Sequence, residues 1–107
     1  MKHGPIALLD EGSPVVVVAP DGHVFDKVVS NIQEVKARGA RVIAVATEGN
    51  REISQHVDDV LWTPKTPALL SALTTVIPLQ LFAYELATSR GLNVDQPRNL
   101  AKTVTVE

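Results

Sequence analysis

The sequence predicts an α/β fold, a parallel sheet covered by helices on both faces in a three-layer α-β-α arrangement. Three observations predict it. Val15 to Ala19 is a run of four valines and an alanine set between Pro14 and Pro20, and Arg41 to Thr47 is a second short apolar run. Each has the length and composition of a strand buried on both faces, as in a parallel sheet. Between them, Phe25, Val28, Val29, Ile32 and Val35 recur at helical spacing, so a helix links two strands that then run the same way.

The elements follow in order. Pro5 to Leu9 predicts a short helical segment, with proline at an early position and Gly12 ending it. The strand at Val15–Ala19 runs into the turn Pro20-Asp21-Gly22. The first long helix then begins at Val24 or Phe25, with Lys27, Glu34, Lys36 and Arg38 outward and Gly39 where a left-handed C-terminal cap is expected. After the second strand, Glu48-Gly49-Asn50 turns the chain, and Arg51 to His56 predicts one or two helical turns. Val60-Leu61-Trp62 is a short third strand, with Trp62 expected to pack on the core. Thr66 and Pro67 supply a cap and a first-turn proline to a helix reaching about Arg90, where Gly91 stops it. Pro78 lies inside that pattern and predicts a kink near Thr74. The order β-α-β-α-β-α requires crossover connections and a parallel sheet.

Composition narrows the function. The 107 residues are 45% hydrophobic, enough for one globular core. Ten basic and twelve acidic residues are spread along the chain, and there are four aromatics (Trp 1, Tyr 1, Phe 2). A nucleic-acid partner is therefore not expected, since both the basic stripe and the stacking platforms are missing. With no cysteine, disulfides, thiolate metal sites and a thiol nucleophile are excluded, which is compatible with a cytoplasmic location. The N-terminus reaches Asp10 and Glu11 quickly and does not read as a signal peptide. The apolar stretch Ala68 to Ala87 is interrupted by Ser71, Thr74, Thr75, Pro78, Gln80 and Glu85. It is expected to be a buried helix of a soluble protein and not a membrane span.

In open parallel sheets, ligands sit beyond the carboxyl ends of the strands. The loops that qualify begin at Ala19, Thr47 and Thr63. None carries GxGxxG or GxxxxGK[ST], and none is rich in Ser or Thr as a phosphate cradle is. His23 and His56 read as surface residues, because no partner ligands are spaced around them. Asp58 and Asp59 are adjacent and would face opposite sides of an extended chain, so they form no carboxylate dyad. No metal and no cofactor are expected.

Two terminal segments hold the remaining chemistry. Lys2-His3-Gly4-Pro5 sets an imidazole on a tight turn, where it is either an exposed terminal histidine or a proton carrier working near neutral pH. Asp95 to Glu107 carries a fork-shaped cation, Arg98, an amide, Asn99, and an amine, Lys102, beside small apolar residues. Lys102 is either a solvated terminal lysine or a nucleophile, since a desolvated amine loses its proton cheaply and attacks carbonyls.

The strings Lys2-His3-Gly4-Pro5 and Asp95-Gln96-Pro97-Arg98-Asn99-Leu100-Ala101-Lys102 resemble the glutamine–fructose-6-phosphate aminotransferases, as do Ser30-Asn31-Ile32, Arg38-Gly39 and Ile77-Pro78-Leu79-Gln80 between them. Thr103 stands where serine is more usual in that family. The resemblance implies a flavodoxin-like sugar isomerase (SIS) subdomain over residues 1–94, possibly incomplete at its N-terminus, and a catalytic tail over 95–107. It implies that Lys102 forms a Schiff base with C2 of fructose 6-phosphate and that His3 assists ring opening across a dimer interface. Ala101 would contact the sugar through its backbone, and Arg98 and Asn99 would position the tail. The partners implied are fructose 6-phosphate, a glutaminase domain, a first SIS subdomain and a second copy in a homo-oligomer. No membrane partner is implied. The family's phosphate loop and proton-transferring Glu belong to the first subdomain, so the chain alone is expected to be catalytically silent. The alternative is a non-catalytic phosphosugar-binding or assembly module of the same fold.

Overall fold

A computed structural model describes residues 4–96. Strands β1 (Pro14–Ala19), β2 (Arg41–Thr47) and β3 (Asp59–Thr63) form one sheet in the order β1-β2-β3, parallel throughout. Helix α1 (Phe25–Lys36) links β1 to β2, and α2 (Ser71–Ser89) follows β3. Val17 pairs with Ala44, and Ala44 with Val60, which puts these three side chains on one face.

That face holds the core. Phe25, Val29, Ile32 and Val35 recur every three or four residues, so α1 presents them as one stripe. They pack on Ala19, Val42, Ala44 and Ala46, with Val15, Val17 and Val60 at the margin. Ile32, Val35 and Val42 are fully buried, and each such side chain contributes about 1.5–3 kcal/mol. The α1 ends obey the helix dipole, with Asp26 in the first turn and Lys36 in the last. Gly39 then takes φ +80°, and a Cβ there would lie 3.3 Å from the Glu11 backbone. Only glycine meets both demands cheaply.

The opposite face is covered by α2 over β2 and β3, where Val45 is fully buried. Val16 and Val18 of β1 stay open on that side, at 37% and 43% exposure. The predicted three layers are present, with thin cover over β1.

Several expectations shift in detail. Pro5–Leu8 and Ile53–Gln55 are single 3-10 turns. Thr66 does not cap α2. A 3-10 turn at Ala68–Leu70 leads into the helix, and extended backbone at Pro67 (ψ 143°) carries Thr66 away from the first free N–H groups. The chain stays helical through Pro78, and the Thr74 and Thr75 hydroxyls donate back to the Ser71 carbonyl. At the far end Gly91 takes φ +67°. The Gly91 N–H reaches the Thr88 carbonyl at 2.9 Å, and the Leu92 N–H reaches Ala87 at 3.0 Å. This is a reciprocal glycine cap, at the residue the sequence marks as the stop of the helix.

The expectation of a buried apolar helix is overturned. Among α2 residues only Thr75 is buried. Ala68–Ser89 is long and apolar enough to cross a membrane by length and composition, with a hydropathy of 1.4, yet 6% of its window is buried. Trp62 is corrected as well, at 46% exposure on the edge strand β3.

Asp58 and Asp59 lie at the amino end of β3 and do separate work. Asp58 accepts from Lys36 Nζ at 2.6 Å and from the Val42 N–H at 2.7 Å, and Asp59 accepts from Arg41 Nη2 at 2.8 Å. The Lys36 hydrogen bond, then the Val42 N–H, hold the Asp58 carboxyl below its ordinary value, against a smaller opposing effect of desolvation. A depressed carboxylate contributes stability above its unfolded-state pKa, and loses it as pH falls through the lower folded-state value. The urea midpoints of the wild type and Asp58→Asn are therefore expected to differ most near neutral pH and to converge under acid. A gap of constant size across that range would rule out ionisation as the cause.

Candidate functional site

The three parallel strands end at Ala19, Thr47 and Thr63, so their following loops gather at one edge of the sheet. These loops are stitched to one another. The Asp21 N–H donates to Thr47 Oγ1 at 3.0 Å, and Asn50 Nδ2 donates to Asp21 Oδ1 at 2.8 Å. Asn50 Oδ1 in turn accepts the Ile53 N–H at 3.1 Å, which fixes the turn after β2. The Glu48 N–H donates to the Thr63 carbonyl at 2.8 Å, and Thr63 Oγ1 donates to the Ala46 carbonyl at 3.1 Å.

Between these loops and the start of α2 lies a cavity of about 70 Å³. Five hydroxyl-bearing residues line it, Thr47, Thr63, Thr66, Ser71 and Thr74. Thr47 and Thr63 are buried, at 7% and 3% exposure. Asp21 and Lys65 line it as well. An apolar groove of about 200 Å³ adjoins it, sharing Thr63, Pro64 and Thr74 and formed otherwise by Trp62, Ile77, Pro78 and Leu81.

The sequence reading found no loop rich in Ser or Thr, and no single loop is. The hydroxyls come from strand ends, a loop and a helix start spread over residues 47–74. The available signal was positional: β2 and β3 both end in threonine, and the first turns of α2 repeat hydroxyl residues at 71 and 74.

His3, Arg98, Asn99, Ala101 and Lys102 lie outside the described residues. Of the tail only Asp95 and Gln96 are described, and their N–H groups donate to Asn93 Oδ1. His23 is exposed and His56 half-buried, away from any cluster. Among the described residues no three His, Asp or Glu side chains gather as a metal site.

Comparison with known proteins adds what the geometry lacks. The chain is 59% identical over all 107 residues to the isomerizing glutamine–fructose-6-phosphate aminotransferase of Thermus thermophilus, covering 18% of that protein. It is 57% identical to the enzyme of the same name from Chlorobaculum tepidum and 55% to that of Methanosarcina acetivorans, each again over the whole chain and 17% of the relative. The chain thus spans less than a fifth of the length of these relatives. Among solved structures, the C-terminal domain of glucosamine-fructose-6-phosphate aminotransferase from Francisella tularensis superimposes with a TM-score of 0.78 at 36% identity. That match covers 89% of this chain and 27% of the other. The SIS domain family matches residues 1–90, most of the chain. By sequence and by fold, this chain belongs to the SIS domain family.

Proposed function

We propose that this chain forms the C-terminal part of the isomerase half of a glutamine–fructose-6-phosphate aminotransferase, which makes glucosamine 6-phosphate in the cytoplasm. The observation that carries this reading is 59% identity over an alignment that spans the whole chain. A module retained only for its fold has no use for a Schiff-base amine, so the Lys102 context in the tail sequence favours the enzyme over a sensor or assembly module.

In this reading residues 1–94 are SIS subdomain and residues 95–107 are the tail. Neutral Lys102 Nζ attacks C2 of open-chain fructose 6-phosphate, and loss of water leaves the Schiff base. His3 moves the proton that ring opening requires. Arg98 and Asn99 hold the tail, the Ala101 backbone meets the sugar, and the closed tail keeps water from the imine and from glutamine-derived ammonia. Phosphate binding and the transfer of a proton between C1 and C2 fall to the remainder of the parent protein, acting as a homo-oligomer with a glutaminase domain and a first SIS subdomain.

This division of labour is testable on the chain itself. The purified 107-residue protein is expected to form no glucosamine 6-phosphate from fructose 6-phosphate and ammonia. The parent enzyme, treated with borohydride and fructose 6-phosphate, is expected to carry a reduced sugar adduct on Lys102. An adduct elsewhere, or turnover by the isolated chain, defeats the assignment.

A further inference from the structure

The turn that leads from β1 into α1 holds a peptide bond with chemistry of its own. Of the Asp and Asn residues in the chain, only Asp21 is followed by glycine. We infer that Asp21-Gly22 is a site of spontaneous isoaspartate formation, held back in the native fold by Asn50.

The reaction needs no partner but water. The Gly22 amide nitrogen gives up its proton and attacks Cγ of Asp21, the Cγ–O bond breaks, and that oxygen leaves as water. Water then reopens the five-membered succinimide at either carbonyl. Opening at Cγ restores aspartate, while opening at the main-chain carbonyl leaves the peptide linked through Cγ. One water is lost and one regained, and nothing is oxidised or reduced. A side chain on the following residue crowds the attacking nitrogen, and glycine has none.

Asp21 and Gly22 are both exposed. The Gly22 N–H makes no hydrogen bond among the described residues, so no bond has to break before its nitrogen attacks. Nor does the fold need glycine here. Gly22 lies outside the positive-φ region, unlike Gly12, Gly39, Gly49 and Gly91, and a Cβ on it would meet open space. What opposes the reaction is the tether on Asp21. Its Oδ1 accepts from Asn50 Nδ2 at 2.8 Å and its N–H donates to Thr47 Oγ1 at 3.0 Å, so side chain and backbone are both tied to the end of β2. A carboxyl held this way does not rotate freely in search of the Gly22 nitrogen, and near-attack geometry governs such ring closures. The product undoes the stitching. The former side-chain carbon becomes main chain, the carboxylate moves onto Cα and away from its place against Asn50, and the link from β1 to α1 lengthens by about 1.5 Å. This inference stands independently of the proposed catalytic role, because it uses none of the tail.

The test is prolonged incubation of the 107-residue chain near neutral pH in water enriched in heavy oxygen. The tryptic peptide 3–27, which follows Lys2 and ends at Lys27, is then sequenced by electron-transfer fragmentation. Residue 21 is expected to gain one heavy oxygen and to accumulate the isoaspartyl form, faster in urea-unfolded chain than in folded chain. Asn50→Asp removes the donor to Asp21 yet keeps an oxygen for the Ile53 N–H. It is expected to raise the folded-state rate about threefold or more, the scale of one lost hydrogen bond. Gly22→Ala is expected to suppress the reaction with the fold intact. Amide fingerprints of β1 and β2 verify that each variant is folded. Should Asn50→Asp unfold, the folded and unfolded wild type still decide the matter. No label at residue 21, label confined to Asp10 or Asp26, or isoaspartate that persists in Gly22→Ala overturns the site. Equal rates in folded and unfolded wild type, or an unchanged rate in folded Asn50→Asp, overturn the role of Asn50.

Discussion

Replacing Lys102 by Arg in the full-length parent enzyme is expected to lower glucosamine 6-phosphate formation by at least about a thousandfold, the scale on which loss of a covalent nucleophile is felt. The choice of Arg is deliberate. Arg keeps the positive charge and much of the length of Lys, yet its guanidinium does not deprotonate and so does not attack a carbonyl. A Lys102 that served only to attract the sugar phosphate would survive the change with a modest rise in KM. A Schiff-base Lys102 would lose kcat and its borohydride-trapped adduct together, while fructose 6-phosphate still bound. Hydrolysis of glutamine by the separate glutaminase domain would continue, which distinguishes a chemical defect from unfolding. A variant that keeps more than a tenth of wild-type turnover removes Lys102 from the chemistry. Arg98→Ala in the same background is expected to be milder, since a residue that positions the tail acts through Lys102 and not on the substrate.

How much of this was legible in the sequence follows from what each signal reports. The strands and α1 were readable because both partners of their packing lie inside the chain. The valine run of β1, the alternation of Val42, Ala44 and Ala46, and the stripe Phe25, Val29, Ile32 and Val35 describe the two sides of one core. Gly39 and Gly91 were readable because positive φ at a helix end selects glycine. The cavity was not, because its hydroxyls are distant in sequence and only the parallel sheet brings Thr47 beside Thr63, its registered partner. Trp62 and α2 were misread for a common reason. An apolar side chain reports that it prefers a partner, but not whether that partner is in the same polypeptide.

α2 therefore carries the second large prediction: the isolated chain self-associates through it. Leu73, Ile77 and Leu81 stand four residues apart on α2, and their exposures run from 54% for Ile77 to 64% for Leu73. Residues at that spacing share a helix face, so they form one apolar stripe, with Tyr84 at its end. Full burial of each large apolar side chain is worth about 1.5–3 kcal/mol, so three half-exposed ones leave several kcal/mol unclaimed. The only charge on α2 is Glu85, so two copies meet little repulsion. Among the described residues, β1 is an edge strand with Val16 and Val18 exposed, which adds a second apolar surface. Sedimentation velocity is expected to show dimers or larger species at roughly 100 μM, dissociating on dilution. The double variant Ile77→Glu, Leu81→Glu places two like charges four residues apart on the stripe and is expected to be monomeric at the same concentration. Both side chains lie outside the α1 core, so a preserved amide fingerprint of β1, β2 and α1 separates lost association from lost folding. A monomeric wild type, or a variant that associates equally well, means that α2 is not the contact.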